Sequence, residues 1–316
     1  MGDWLTCTAM LLEAEVEQFW REGWILVRQL APPRAVAAVL EAGQELTDAD
    51  GEPKWSLEGG GHQAQVGAAI KQALAEKIIA DRSEVFVTTK ITPLVCTKSA
   101  AVAAINADLK ELDLEQVDLI LHHFACDTDT ENQQVWAGLV QAKAQGLTRA
   151  IGVSSYSIEQ LQGLGLTTNL PSVNQCQMSV ARHVRCLLSF CSPCTFFTAQ
   201  TDRCGRPQDD MTRSYCQQHG ITYQAWSPLS SINLGNPPLP AIAAAHGVST
   251  AQVALRWITQ QGGCPFAVSP GIRKEGGRYV VNEEYAKEDL ALGGFNLTDA
   301  ELKALGACHP WNPHAC

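Results

Sequence analysis

The chain has 316 residues, of which 46% are apolar and 18% are charged, and its formal net charge at pH 7 is −10. This length suits one α/β barrel of about 250 residues with additional segments, and the apolar content predicts a large globular core. The acidic balance argues against nucleic acid and against an anionic membrane as the main partner. No apolar run approaches the roughly 18 residues of a membrane span and no basic leader begins the chain, so we expect a cytoplasmic protein without membrane segments.

The first 61 residues form an atypical N-terminal segment. Residues 16–46 have the pattern of a helix, a short strand and a second helix that opens with Pro32 and Pro33. Residues 48–62 are polar and rich in glycine, which is typical of a loop. This part of the chain does not follow the alternation that begins after it.

Helical and strand patterns alternate from about residue 62 onward. The predicted helices are at 62–77, 98–112, 133–146 and 249–263, and a further helix begins at the N-cap residue Ser157. The predicted strands are at 85–90, 117–123, 149–155, 172–177 and 221–228. Strict alternation predicts an α/β fold with parallel strands and crossover helices. Five or six such units favour a closed (β/α)₈ TIM barrel over an open sheet, with its N-terminal strands incomplete or distorted.

We expect this barrel to occupy residues 62–306 and to be followed by a tail at 307–316. An irregular stretch at about 182–208 interrupts it between a strand and its helix, and is predicted to be an inserted loop. The stretch contains four cysteines, Cys186, Cys191, Cys194 and Cys204. Cys191 and Cys194 have the spacing of zinc ligands, but no second pair matches them, so we favour a loop without metal.

The chain has twelve cysteines in total, and most of the others lie singly in apolar stretches. Cys96, Cys126, Cys176 and Cys264 are of this kind, and we expect each to be a small buried hydrophobic side chain. Unpaired cysteines in such number are typical of a reducing compartment.

Polar residues stand at the C-terminal ends of the predicted strands. Lys90 ends VFVTTK, His123 ends VDLILHH, and Ser154 and Ser155 end RAIGVSS. In an α/β barrel these strand ends line the mouth where active sites lie, whereas polar groups inside strands are buried at a cost of a few kcal/mol. Taken alone, each also has a structural interpretation, such as a solvated lysine, a core histidine or a helix cap.

The order and spacing of these motifs at residues 62–181 and 209–306 resemble those of the aldo-keto reductases. The resemblance implies a barrel that binds a nicotinamide dinucleotide and reduces a carbonyl compound. It assigns Lys90 as the catalytic lysine and His123, rather than His122, as the catalytic histidine. Asp48 is the candidate for the family's aspartate, because EAGQELTDAD weakly resembles a family strand that ends in Asp.

The same resemblance supplies a cofactor site. It implies that Ser154, Ser155 and Gln175 contact the nicotinamide carboxamide, and that Trp226 in ITYQAWSPL stacks on the nicotinamide ring. Ser155 replaces the family's asparagine, which shortens its reach. The residues that follow Trp226 fall on the loop near the pyrophosphate, and the candidates there are Ser227 and Leu229.

The adenine end of the cofactor site is less complete. In the segment NEEYAKEDL the resemblance implies that Glu288 and Asp289 contact adenine, although Asp289 replaces an asparagine and loses a donor. Arg273 and Lys274 are candidates for a 2′-phosphate contact, with ordinary surface charges as the alternative. The resemblance implies NADP as the cofactor, with NAD as the alternative.

One part of the family's catalytic set is missing. The family reaction uses Asp, Tyr, Lys and His, and the tyrosine protonates the carbonyl oxygen while a lysine lowers its pKa. Aligned without gaps, the positions of Asp and Tyr hold Trp55 and Gly60, and no tyrosine occurs before Tyr156.

The N-terminal stretch EVEQFWREGWILVRQLAPPRAVAAV resembles the start of phytanoyl-CoA-dioxygenase-like proteins. That family binds iron through His-x-Asp or His-x-Glu and a distant histidine. Neither pair occurs in this sequence, so we expect no iron oxygenase site.

Three hypotheses follow from these motifs. The first is an NAD(P)H-dependent reductase of a small-molecule aldehyde or ketone, weakened by the loss of the tyrosine. The second is a nicotinamide-binding pseudoenzyme or regulatory subunit without turnover. The third is a non-functional product of gene fusion and a retained insertion. The substrate and the oligomeric state are not predicted, because selectivity in this family lies in variable loops.

Overall fold

The computed structural model describes residues 63–77, 79–93, 95–180, 210–226, 228–229, 232–262, 264–265, 272–275, 278–281 and 283–307. The predictions for segment 1–61, for the stretch 182–208 and for the tail beyond residue 307 therefore lie outside the described residues. They remain predictions, as does the four-cysteine zinc alternative.

Six parallel strands form the central sheet, and they are hydrogen-bonded in the order in which they occur along the chain. The strands are β1 (Thr88–Ile91), β2 (Val117–His122), β3 (Thr148–Ser154), β4 (Val173–Gln177), β5 (Thr222–Trp226) and β6 (Cys264–Pro265). This sequential parallel order is the one that an α/β barrel requires. In the described part of the chain the sheet has six strands, with β1 and β6 at its two edges.

Helices connect and cover these strands. They are α1 (Gln63–Ala75), α2 (Lys98–Leu112), α3 (Asp129–Ala144), α4 (Ile158–Gly163), α5 (Asp210–Gln218), α6 (Leu239–His246), α7 (Thr250–Gln260), α8 (Glu283–Leu290) and α9 (Asp299–Gly306). Among the described residues, two short 3₁₀ helices lie at Arg82–Glu84 and Leu292–Gly294. None of the helices in the described residues is long and apolar enough to cross a membrane.

Capping side chains determine where α3 and α4 begin. The hydroxyl of Ser157 accepts from the backbone N–H of Gln160 and begins α4, as expected for an N-cap. Helix α3 begins four residues before its predicted start, because Thr128 and Glu131 form a reciprocal capping box that the prediction missed.

An antiparallel hairpin follows β6 and was not predicted. It consists of β7 (Ile272–Glu275) and β8 (Arg278–Val281), paired with Arg273 opposite Val280. Arg273 and Lys274, the candidates for a 2′-phosphate contact, thus belong to a strand of this hairpin.

One face of the central sheet packs against the helices and holds the main hydrophobic core. Ile91 of β1, Ile120 of β2 and Ile151 of β3 lie on this face, and none is more than 1% exposed. Thr89 lies on the same face, where its hydroxyl donates to Oδ2 of Asp108 on α2 at 2.8 Å. We call this the helix face of the sheet.

The opposite face carries a smaller apolar cluster. Leu119 and Leu121 of β2, Ala150 of β3 and Val173 of β4 form it, with the half-buried Phe86 packed against them. Successive residues of a strand point to opposite faces, so the residues two positions beyond these also lie on this side. We call it the site face, because the polar strand ends project from it.

A disulfide joins the loops that follow β1 and β2. Cys96 and Cys126 are bonded, with their Cα atoms 6.3 Å apart and a sequence separation of 30. The prediction of two separate free cysteines is wrong for this pair, because the parallel pairing of β1 with β2 brings the following loops side by side. For Cys176 the prediction of a buried side chain is confirmed, since it is 0% exposed. The side chain of Cys264 is outside the described part.

Candidate active site

Lys90 and His123 lie next to each other at the C-terminal ends of β1 and β2. Lys90 pairs in register with Leu121, and the backbone N–H of His123 donates to the carbonyl of Ile91 at 3.0 Å. Alternation along the strands places both side chains on the site face. Burial, and after it the positive charge of Lys90, lower the pKa of His123 to about 4. The imidazole of His123 is therefore uncharged near neutral pH and lies beside a cationic lysine.

His122 has the opposite orientation and lies on the helix face. It is 3% exposed, and its Nδ1 is 2.7 Å from the hydroxyl of Tyr156. That hydroxyl donates to Oδ1 of Asn132 at 2.9 Å, so its oxygen accepts from Nδ1–H of His122. His122 is thus a hydrogen-bonded core histidine, whereas His123 is the one of the two that faces the predicted site.

Tyr156 does not occupy the position of the catalytic tyrosine that the family motif implies. It is 1% exposed, its ring packs edge-on against His122, and its hydroxyl hydrogen is used by Asn132. Burial also raises the pKa of its phenol above its usual value. A protonated phenol on the helix face has no path to a carbonyl oxygen that approaches Lys90.

The predicted carboxamide contacts meet at the ends of β3, β4 and β5. Ser154 is 2% exposed, and its hydroxyl donates to the carbonyl of Gln175 at 3.0 Å. The backbone N–H of Ser155 donates to the same carbonyl at 2.8 Å, and Ser155 has the left-handed conformation that is uncommon for serine, with φ 58°. The side chain of Gln175 donates to Oε1 of Gln224 at 2.8 Å. These contacts hold Gln175 in one orientation.

Gln175 also retains an unused acceptor. Among the described residues, its Oε1 atom is buried and accepts no hydrogen bond. A buried amide oxygen without a partner costs free energy unless a ligand supplies a donor. The amide group of a nicotinamide is such a donor, so the residues at this position fit the group that the sequence motif implies.

Gln224 was missed by the sequence prediction, although it contacts the predicted site directly. It lies two residues before Trp226 on β5 and therefore shares its face. This period of two was the signal that could have identified it. Trp226 itself ends β5 on the site face and is half-buried, which leaves part of its ring accessible.

The other residues predicted to bind the cofactor lie on the loop after β5 and on α8. Leu229 is half-buried and packs against the main core, and Ser227 lies outside the described residues. On α8, Oε2 of Glu288 accepts from the hydroxyl of Ser249 at 2.6 Å, so this carboxylate already stabilises the start of α7. Burial, and then the charge of Glu288, raise the pKa of the neighbouring Asp289 to about 7.

The sequence model of the Aldo/keto reductase family matches residues 34–309. The chain belongs to the aldo/keto reductase family. An aldo-keto reductase of Mycolicibacterium smegmatis is 30% identical over 86% of this chain and 80% of its own length. D-galacturonate reductase of Fragaria ananassa is 27% identical over 78% of this chain and 73% of its own. NADPH-dependent codeinone reductase 1-2 of Papaver somniferum is 28% identical over 76% of this chain and 71% of its own.

Solved aldo/keto reductase structures have a similar fold. The enzyme from Brucella melitensis superposes with a TM-score of 0.60 at 24% identity and covers 89% of this chain and 92% of its own. An aldo-keto reductase of Bombyx mori in complex with NADP has a TM-score of 0.62 at 20% identity, with coverages of 90% and 85%. This likeness and the family match confirm the predicted α/β barrel fold.

The family match begins at residue 34, inside the segment that the sequence divided off at residue 61. The boundaries predicted for the N-terminal segment, the insertion and the tail remain predictions. Asp48, Trp55 and Gly60 fall within the matched range but outside the described residues. The assignments of Asp48 to the family's aspartate and of Gly60 to its tyrosine position therefore remain predictions from the sequence.

Proposed function

We propose that the protein is an NADP-dependent carbonyl reductase, with NAD as the alternative cofactor, that converts a small aldehyde or ketone into an alcohol. The observation that carries the proposal is the placement of Lys90 beside His123 on the site face, two strands away from Gln175 and its unused buried oxygen. The relatives named NADPH-dependent codeinone reductase and D-galacturonate reductase support this reaction class.

In this proposal the chain's own residues bind and polarise the substrate. Ser154, Ser155 and Gln175 hold the carboxamide, and the accessible ring of Trp226 covers the nicotinamide. When bound, the cofactor supplies a hydride to the carbonyl carbon. Lys90 and His123 lie where the carbonyl oxygen gains negative charge, which a cation and a neutral imidazole N–H both stabilise. The oxygen then takes up one proton from water, and the hydride and the proton together yield the alcohol.

We further propose that the proton transfer is slow, because the ungapped alignment leaves Gly60 where the family has its tyrosine. A positioned general acid typically contributes about 10²–10⁴-fold to such a step. The second candidate function, a nicotinamide-binding pseudoenzyme or regulatory subunit, is favoured by the same substitution and by the Tyr156 hydroxyl, which is held on the helix face.

A cofactor titration separates these functions. NADPH and NADH are titrated into the full chain while tryptophan emission is followed, in the wild type and in Trp226→Phe. We expect saturable quenching that is tighter for NADPH and that is largely lost in Trp226→Phe, because the proposed stacking brings the ring of Trp226 into contact with the nicotinamide. Absence of saturable binding of either cofactor would contradict both candidates. Binding without turnover of simple aldehydes would leave only the pseudoenzyme.

The cytoplasmic location expected from the sequence is also a proposal, and the disulfide argues against it. Disulfides persist in oxidising compartments and are rare in the cytosol. Alkylation of the protein in intact cells, followed by mass spectrometry of the Cys96 and Cys126 peptides, distinguishes a reducing from an oxidising compartment. Paired cysteines in the native cell would contradict a reducing compartment.

A further inference from the structure

Thr92 contacts the ring of His123, although the sequence singled out only the lysine two residues before it. Strand β1 ends at Ile91, which pairs with His122, and the bond from His123 N–H to the carbonyl of Ile91 extends this pairing by one step. Thr92 thus lies opposite His123, and its Oγ1 is 3.2 Å from Nδ1 of the imidazole. In the described part of the chain, this is the hydrogen bond that the ring of His123 makes.

The position of the imidazole ring is constrained on other sides as well. The ring stacks on Phe124, with ring centroids 3.9 Å apart and an interplanar angle of 20°. The backbone of His123 is hydrogen-bonded to β1, and Nδ1 of the ring faces the hydroxyl of Thr92. Because the ring is uncharged near neutral pH, it carries one hydrogen, which lies either on Nδ1 or on Nε2.

The Thr92 hydroxyl can serve either form, since a hydroxyl both donates and accepts. If Nδ1 carries the hydrogen, Thr92 accepts it, and Nε2 presents only a lone pair to the site. If Thr92 donates to Nδ1, the hydrogen is on Nε2, the ring nitrogen farther from the backbone. Only the second form offers an N–H to a carbonyl oxygen.

We propose that Thr92 is a positioning residue that donates to Nδ1 of His123 and holds the imidazole in the Nε2–H form that polarises the substrate carbonyl. This inference rests on the proposed reductase function for its purpose, but the hydrogen-bond direction is a property of the protein itself. A hydrogen bond on one ring nitrogen determines which form of a neutral imidazole is present.

The test uses the full chain labelled with ¹⁵N-histidine and compares the wild type with Thr92→Val and Thr92→Ser. Valine removes the hydroxyl and keeps the branched shape, and serine keeps the hydroxyl, so Thr92→Ser is the matched control. The chain has eight histidines, and the His123 signals are assigned by their loss in His123→Gln. The ¹⁵N shifts of a neutral ring report which nitrogen is protonated.

We expect a predominantly Nε2–H ring in the wild type and in Thr92→Ser, and a mixture of both forms in Thr92→Val. The kcat for aldehyde reduction should fall about fivefold in Thr92→Val, as for one neutral hydrogen bond, with KM and NADPH affinity within about twofold of wild type. Thr92→Ser should retain the wild-type kcat.

A wild-type ring protonated on Nδ1, or an unchanged ring in Thr92→Val, would overturn the proposal. A Thr92→Ser variant that behaves like Thr92→Val would also overturn it, because the effect would then come from the shape of the side chain. If no variant turns over any aldehyde, the proposed reductase function fails, while the ¹⁵N spectra still decide whether Thr92 sets the form of the ring.

Discussion

Two adjacent histidines of this aldo/keto reductase have opposite environments because a strand alternates its side chains between two faces. His122 is buried among helices and donates to Tyr156, whereas His123 is half-buried on the site face beside Lys90. A change of one residue in register would exchange them. The choice of His123 by sequence resemblance therefore agrees with the side of the sheet on which each ring lies, and its catalytic role remains to be tested.

Substitution of each histidine should separate chemistry from stability. We expect His123→Gln and Lys90→Met to lower kcat/KM for aldehydes at least tenfold, with melting temperatures close to wild type, because both side chains line the site. His122→Phe should instead destabilise the fold by about 1–3 kcal/mol, since the Tyr156–Asn132 network loses a partner. Steady-state kinetics and thermal denaturation measure the two effects. The reverse pattern would show that His122 is the functional ring.

The ungapped alignment predicts that a tyrosine at residue 60 raises activity. The prediction is a gain of about 10²–10⁴-fold in aldehyde reduction for Gly60→Tyr, and a larger gain when Trp55→Asp is added, because a phenol near Lys90 can protonate the oxygen. Gly60→Phe is the control, since it adds the ring without the hydroxyl. Equal rates in the Phe and Tyr variants would show that residue 60 does not lie at the acid position.

At the scale of elements, two contacts hold the βα loops after β1 and β2 together. The Cys96–Cys126 disulfide joins them, and the hydroxyl of Thr92 contacts His123. Within the second loop, Oδ1 of Asn132 on α3 accepts from the backbone N–H of Cys126 at 2.7 Å. These loops flank the strand ends that carry the proposed catalytic pair. The disulfide is therefore a support for the site as well as for the fold.

The disulfide should contribute measurable stability. It closes a loop with a sequence separation of 30, for which constraint of the unfolded chain predicts about 3–4 kcal/mol. Treatment with a dithiol reductant should lower the melting temperature of the wild type by several degrees. In the double variant Cys96→Ser, Cys126→Ser the same treatment should change nothing. A wild type that is insensitive to reductant, with both thiols free by mass spectrometry, would contradict the pairing.

On the scale of the whole molecule, the two faces of the sheet differ in polarity. Its helix face holds the main core, and its site face ends in the polar residues that the proposed cofactor would cover. Burial disfavours the charged form of His123 in this site and so lowers its pKa. Such a group links the stability of the fold to pH.

Stability should fall as pH falls from 7 to 5, in part through His123. Its pKa is about 4 in the fold and near 6.5 when unfolded, so in this window the unfolded chain binds a proton that the folded chain does not. Asp289, with its raised pKa, acts in the opposite direction. The His123→Gln variant isolates the histidine: its melting temperature should fall less between pH 7 and pH 5 than that of wild type. An equal fall would show that His123 does not titrate in this way.

The sequence by itself determined the elements and the faces that they present. Helix α2 has its predicted bounds, Ser157 begins α4 as an N-cap, and the strands lie within two or three residues of their predicted limits at most ends. These features depend on local signals, namely capping side chains and the period of apolar residues. The limits of the predicted strands place Lys90 and His123 at strand ends.

Only the tertiary structure decided which distant groups touch. The Cys96–Cys126 bond, the Thr92–His123 contact and the hydrogen bond from Gln175 to Gln224 join residues separated by 30, 31 and 49 positions. No local pattern specifies such pairs, because they depend on how neighbouring strands align and on the paths of the loops beyond them. Sequence periodicity determines the face on which a side chain lies, and the packing of the strands determines which other side chain it meets there.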